Sequence, residues 1–422
     1  MAGQIASLLG ALVLVRVLTE YLEPAEYGQL ALGLTVAGLI NQVVMSGISQ
    51  GISRYYSIAS ERKDISGYLK ASRHLLMLAT IVVVVIAVAF GIGLAAMEQM
   101  QWIGLVFAVL LFSIFSGYNS ALSGIQNAAR QRAVVALHVG MDAWLKIGLA
   151  VGFMLWLGSD GVAVVLGYFL SALLITGSQL FFLKRLLLTN SSRSKSLEIN
   201  TWSQQMWAFS WPFSAWGVFT WAQQASDRWA LQAFAATADV GQYAVVYQLG
   251  FAPIGLLVGL MVSLVAPIMY QRAGDASDHQ RIKNLHGIAW SIANASLGLT
   301  VFAFLVAWCL HDWLFQWLVA ENYQPVSRYF PWMILAGGLF ASGQMLSLKL
   351  MAEIQSHKLL YAKIGSAIIG IAANFFSAWW FGFAGVVFGL VTFSAVFLVW
   401  VAFASLHLPG IEANENAGLS LK

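Results

Sequence analysis

Long uncharged stretches recur from one end of this chain to the other, and no other feature constrains its fold as much. They cover 28–53, 75–96, 102–125, 161–183, 204–226, 243–267, 287–310, 329–348 and 383–406. A bilayer's hydrocarbon core, about 30 Å thick, is crossed by about 20 apolar residues in a helix. Backbone groups inside it must bond internally, which admits only helices and closed barrels. Barrel strands alternate apolar and polar residues over short segments, and these runs do not. The expected fold class is therefore all-α and integral to a membrane. Three further segments span only if they carry charge: 1–22 with Arg16, 133–157 with Asp142 and Lys146, and 359–381 with Lys363. That makes twelve spans.

Charge supports this count. Only 9% of residues are charged, against about a quarter in soluble proteins. With both termini on the cytoplasmic side, every one of the 22 basic residues falls inside except Arg16, Lys146, Arg228 and Arg328. That is the positive-inside asymmetry of a multi-pass protein. It also accounts for the net charge of +4 without nucleic acid as a partner. The first span has no small-residue cleavage pattern, so no cleavable signal peptide is expected. The polar stretch between the sixth and seventh spans reads as a linker. The expected organisation is a six-helix lobe over 1–183, a cytoplasmic linker over 184–203, a second six-helix lobe over 204–408 and a cytoplasmic tail over 409–422.

The two lobes carry an internal repeat. Glu26-Tyr27-Gly28-Gln29-Leu30-Ala31 matches Asp239-Val240-Gly241-Gln242-Tyr243-Ala244, Ser116-Gly117 matches Ser342-Gly343, and Trp156-Leu157-Gly158 with Gly161-Val162 matches Trp380-Phe381-Gly382 with Gly385-Val386. Six spans separate the copies, so both have the same orientation. Transporters of this construction bind substrate between their halves and alternate access by rocking. A scaffold without transport is the competing reading.

Charge within a span usually meets a polar cavity or a partner. Arg16 in the first span has a fork suited to phosphate oxygens, or it snorkels outward and pairs with Glu20. The repeat places Arg228, beside Asp227, at the equivalent point just after the seventh span. Two such arginines suit a diphosphate. Arg54 ends the second span, as substrate ligand or as inside anchor. Asn41 and Gln42 make that span polar, and 42, 46, 49 and 50 would share one face of a regular helix. Gln223, Gln224 and Asp227 give the seventh span a polar end, and its tryptophans either line a glycan path or sit at interfaces. Asp142 and Lys146, four apart, form a structural ion pair, or Asp142 is an ion-coupling site. Lys349 and Glu353 allow the same two readings.

Enzyme chemistry finds no foothold. There is no Walker loop, no histidine pair at zinc spacing, and no Ser/His/Asp arrangement; His311-Asp312 reads as an isolated loop pair. The single cysteine, Cys309, excludes an internal disulfide and a cysteine metal cluster. No cofactor is expected.

Several of these residues form a pattern. Arg16-x-Leu18 with Pro24-x-x-Tyr27-Gly28, Arg54-Tyr55, Ser123-Gly124 with Gln126, and Gly158-x-x-Gly161 resemble motifs of the polysaccharide (O-antigen, Wzx-type) flippases. Those belong to the multidrug/oligosaccharidyl-lipid/polysaccharide exporter superfamily, along with multidrug antiporters and the lipid II flippase. The resemblance implies two six-helix lobes facing each other in a V. It implies an undecaprenyl-diphosphate-linked oligosaccharide moved between leaflets of a bacterial inner membrane, with ion coupling. Cavity arginines engage the diphosphate in that family, a role that carries over to Arg16 and Arg228 and less directly to Arg54. Membrane lipids, a polysaccharide polymerase and glycosyltransferases are the implied partners. Relatives usually have several residues before the first span, whereas here it starts at Met1. The alternatives are a cation-coupled multidrug antiporter, which calls for a more acidic cavity, and a membrane enzyme of polysaccharide assembly, which calls for a large periplasmic loop.

Overall fold

The computed structural model describes residues 2–189, 199–273, 279–353 and 355–406. Part of the 184–203 linker and all of the 409–422 tail lie outside the described residues. What is described is helical throughout. The helices are α1 (Ala2–Tyr21), α2 (Pro24–Leu39), α3 (Ser46–Glu61), α4 (Ile65–Ala96), α5 (Ile103–Ala128), α6 (Arg132–Leu157) and α7 (Gly161–Thr189). They continue with α8 (Ile199–Phe234), α9 (Thr237–Ala273), α10 (His279–Leu318), α11 (Phe330–Ala352) and α12 (Ser356–Leu406). A π-helical turn, Ile40–Met45, joins α2 to α3 without a break, so the pair is one span.

Ten helices among the described residues are long and apolar enough to cross a membrane. One of them, α12, is broken at Gly382, where φ is 55° and ψ −128°, and so supplies two crossings. The other addition is α8. Its 36 residues reach about 54 Å, but serines, glutamines and tryptophans dilute its apolar character. The twelve expected spans are thereby accounted for.

Helix ends follow local chemistry. Pro24 opens α2 after an extended Glu23. Asp64 Oδ1 accepts the Gly67 amide (3.0 Å) to cap α4, and Asp160 Oδ1 accepts that of Ala163 (2.7 Å) in α7. Three inter-helix turns close through a left-handed residue, at Lys63, Glu98 and Arg130. Each is followed by an amide bonded five residues back: Asp64 to Ala59 (2.9 Å), Gln99 to Leu94 (2.8 Å) and Gln131 to Gln126 (2.8 Å). The repeat is visible in the backbone too. Gly158 (φ 116°) and Gly382 (φ 55°) are the glycines with positive φ among the described residues, and they occupy matched positions, each turning one helix into the next.

The chain divides into two compact units, residues Met1–Ala225 and Ser226–Lys422. The division falls inside α8, whereas the sequence places it at the 184–203 linker. In the first unit α5 packs against α3, α4 and α7, while α6 bridges α1 and α7. Close approach depends on glycine: a β-carbon on Gly167 of α7 would lie 2.6 Å from Ala150 Cα of α6. In the second unit α11 is central and packs against α9, α10 and α12. Its Lys349 is fully buried, with Nζ bonded to Glu353 Oε2 (3.2 Å) and to the Ser405 carbonyl near the end of α12 (2.7 Å). That is the structural reading of the Lys349–Glu353 pair.

Candidate functional site

In the first unit the polar residues of the second and seventh spans meet. Gln42, in the π-turn, donates from Nε2 to Gln224 Oε1 of α8 (2.9 Å). One turn earlier on α8, the Trp221 indole N–H donates to the Thr35 carbonyl (2.7 Å). Asn41 turns back on its own helix, donating to the Ala37 carbonyl (3.0 Å). Gln42 Oε1 is buried and has no hydrogen-bond partner among the described residues.

Residues of α8 at helical spacing hold it to this unit. Trp202, fully buried, donates to Asp64 Oδ2 (2.9 Å) and lies under the Arg62 guanidinium (5.6 Å). Ser210 and Ser214 sit where β-carbons of Gly51 and Gly47 would be, and Gly217 lies against the Gln42 carbonyl. Small residues facing small residues are how membrane helices approach closely. The signal is present in the sequence as Gly47-x-x-x-Gly51 opposite Ser210-x-x-x-Ser214.

The expected shared face of 42, 46, 49 and 50 does not form. Ser49 is buried and donates to the Met45 carbonyl (2.8 Å), while Gln50 is exposed. The π-turn inserts one extra residue, so Gln42 shares its side of the span with Gly47 and Gly51 instead.

In the second unit Asp227, 2% exposed, accepts hydrogen bonds from the Tyr243 hydroxyl (2.8 Å) and the Arg228 amide (2.7 Å). The Arg228 guanidinium stands 3.6 Å from Asp227 Oδ1 and 4.6 Å above the Tyr247 ring. Next to Asp227, Ser226 accepts a bond from Asn374 Nδ2 (2.9 Å), and Asn374 Oδ1 is buried without a partner among the described residues. The expected Asp227–Arg228 neighbourhood thus gains Tyr243, Tyr247 and Asn374. The tyrosines were legible as an i, i+4 pair, and Asn374 as a lone amide in an apolar run.

The remaining expected residues lie apart from these two groups. Arg16 on α1 pairs with Glu20 (3.0 Å), both side chains about half exposed. Arg54 on α3 is exposed. Asp142 pairs with Lys146 on α6 and accepts from Ser171 Oγ of α7 (2.9 Å). Lys146 also stands 5.5 Å from the Phe112 ring centre, so the pair points into the first unit. One reading is corrected. His311-Asp312 lies inside the last two to three turns of α10 rather than forming an isolated loop pair: Ser327 donates to Asp312 Oδ1 (2.6 Å) and lies 3.1 Å from His311 Nδ1. The same nitrogen faces Asp312 at 2.9 Å. A relay would need the histidine between serine and carboxylate; here the three tie the following turn to α10.

Among the described residues no group of three or more His, Cys, Asp or Glu is placed to hold a metal ion.

Known structures share the fold. The chain matches the inward-facing form of a MATE-family multidrug-resistance transporter of the MOP superfamily at 17% identity, covering 97% of this chain and 96% of that one, with a TM-score of 0.64. The inward closed form of the lipid II flippase MurJ matches at 11% identity over 96% of this chain and 86% of that one, with a TM-score of 0.69. The bent form of the Vibrio cholerae MATE transporter VcmN matches at 14% identity, 95% and 97% coverage, and a TM-score of 0.53. No curated protein matches the sequence significantly. The family model described as "Polysaccharide biosynthesis protein" matches residues 1–273, more than half of the sequence. The chain is a multi-pass membrane protein with the fold of the MOP-superfamily transporters, and it belongs to the polysaccharide biosynthesis protein family.

Proposed function

We propose that this protein is a flippase. It carries an undecaprenyl-diphosphate-linked oligosaccharide from the cytoplasmic to the periplasmic leaflet of a bacterial inner membrane, for surface polysaccharide synthesis. It works by alternating access, with both termini cytoplasmic, and hands its cargo to a polymerase supplied by upstream glycosyltransferases. The observation that carries this reading is the family match over residues 1–273. Two further observations support it. MurJ, of the same fold, is a lipid II flippase, and α1 and α8 each bear an arginine, Arg16 and Arg228.

In this reading Arg16 and Arg228 bind the diphosphate and Arg54 meets it at the cytoplasmic side. A diphosphate outcharges the single carboxylates of Glu20 and Asp227 that now face the two arginines, and a fork can bond two of its oxygens at once. Asn41, Gln42, Gln224 and Asp227 line the polar path. Asp142 is the residue through which an ion gradient would act.

The test is deletion in the native host, with surface polysaccharide resolved on a gel and the lipid-linked precursor measured in each leaflet. Loss of surface glycan with precursor held in the inner leaflet is expected. Wild type should rescue it and the Arg16→Ala, Arg228→Ala double variant should not, with at least a tenfold deficit. Unchanged glycan with new sensitivity to cationic drugs would overturn the reading in favour of a multidrug antiporter.

A further inference from the structure

The turn at Ile40–Met45 is π-helical. Such turns make up well under 1% of residues and gather at functional sites. Here the turn has a measurable consequence. It puts Gln42, Gly47 and Gly51 on the side facing α8, with the Gln42 carbonyl against Gly217, Gly47 against Ser214 and Gly51 against Ser210. A β-carbon on Gly51 would also lie 2.7 Å from the Met206 carbonyl, and one on Gly217 would lie 3.3 Å from Val43 Cα. There is room on this side for hydrogen alone.

If the π-turn relaxes to α-helix, one residue is absorbed, and α3 rotates by about 100° and shifts by about 1.5 Å relative to α2. Each position facing α8 then passes to the preceding residue: Gly47 gives way to Ser46, and Gly51 to Gln50. The Gln50 side chain, now exposed, would have to occupy the space held by Ser210 and the Met206 carbonyl. The α register and the docked position of α8 therefore exclude each other. We propose that the π-turn is a register switch: α8 docks on the second span when the turn is π and is released when it becomes α. The Trp221–Thr35 and Gln42–Gln224 bonds mark the docked state. A static reading makes the extra residue a mere spacer that brings Gln42 and the two glycines onto one side.

Deleting Val43 separates the two. It leaves Gln42, Gly47 and Gly51 on one side of an uninterrupted α-helix, which satisfies a spacer and abolishes a switch. The measurement is the electron-spin distance between labels on Ser57→Cys of α3 and Trp207→Cys of α8, both exposed, in full-length protein with Cys309→Ser in lipid nanodiscs. Gly217→Ala, which presses a methyl on the Gln42 carbonyl, should move population by several ångströms towards the undocked distance. The deletion should show the docked distance alone. A Gly217→Ala distribution identical to wild type overturns the switch, and so does a deletion variant that keeps a second population. If the deletion variant fails to reach the membrane, the Gly217→Ala result decides alone. Surface glycan in the host should fall at least tenfold with the deletion. That readout rests on the proposed cargo, and the distances do not.

Discussion

Replacing Lys349 by methionine tests how the second unit is held together. The ammonium is fully buried in α11, 3.1–3.2 Å from the Glu353 carboxylate oxygens and 2.7 Å from the Ser405 carbonyl. Methionine fills much of the same volume, so the cost is electrostatic. Glu353 would lose its bonded counter-ion and keep only the more distant charge of Lys358, and breaking a buried pair from one side costs up to about 3–5 kcal/mol. The Ser405 carbonyl would lose its donor, worth about 1–3 kcal/mol if it stays buried. The double variant Lys349→Met, Glu353→Gln removes both charges and should recover most of the first loss but none of the second. Thermal unfolding of the detergent-purified protein, followed by monodisperse fraction on size exclusion, ranks the three. Wild type should be followed by the double variant, with the single variant well below. A single variant as stable as wild type, or a double variant no better than the single, would refute the assignment of Lys349 as a counter-ion and helix-end clamp.

Three further outcomes follow from the geometry. Trp202→Phe removes the donor to Asp64 while keeping most of the ring; it should lower stability by about 1–3 kcal/mol in the same unfolding assay. Lys146→Met should reduce the amount of folded protein in membrane extracts, and Lys146→Met with Asp142→Asn should restore it. On the proposed function, glycan export within twofold of wild type in that double variant marks the pair as structural, whereas lost export at normal abundance would assign ion coupling to Asp142. Gly167→Leu should prevent accumulation, because its β-carbon meets the α6 backbone at 2.6 Å; Gly148→Ala, with nothing within 4 Å of the new methyl, should accumulate normally on an immunoblot of membranes.

The spans were legible because hydrocarbon leaves the backbone few options: long apolar runs had to become helices. The repeat was legible because matched turns need matched glycines; the structure adds that Gly158 and Gly382, matched in the Trp-x-Gly pairing, both hold positive φ. The candidate site was legible as composition more than as geometry. Gln42 and Gln224 were expected to be polar lining and they bond to each other. The partition of faces on the second span was not readable, since it assumed 3.6 residues per turn and a π-turn intervenes. Nor was the attachment of most of α8 to the first unit, because it depends on where serine and glycine side chains meet across helices distant in sequence. Asp227 and Arg228 were expected side by side; Tyr243 and Asn374 come from α9 and α12, and only the fold reveals that convergence.

The ownership of α8 bears on how the protein is made. Ribosomes deliver the six spans through Thr189 first, but the groove along Gly47 and Gly51 is filled by residues up to Gln224. Until that helix arrives the first unit lacks part of its own packing, although the sequence repeat counts the helix with the second copy. A gene cut at the linker would yield an N-terminal half with that groove open to lipid, and a cut after Ala225 would not.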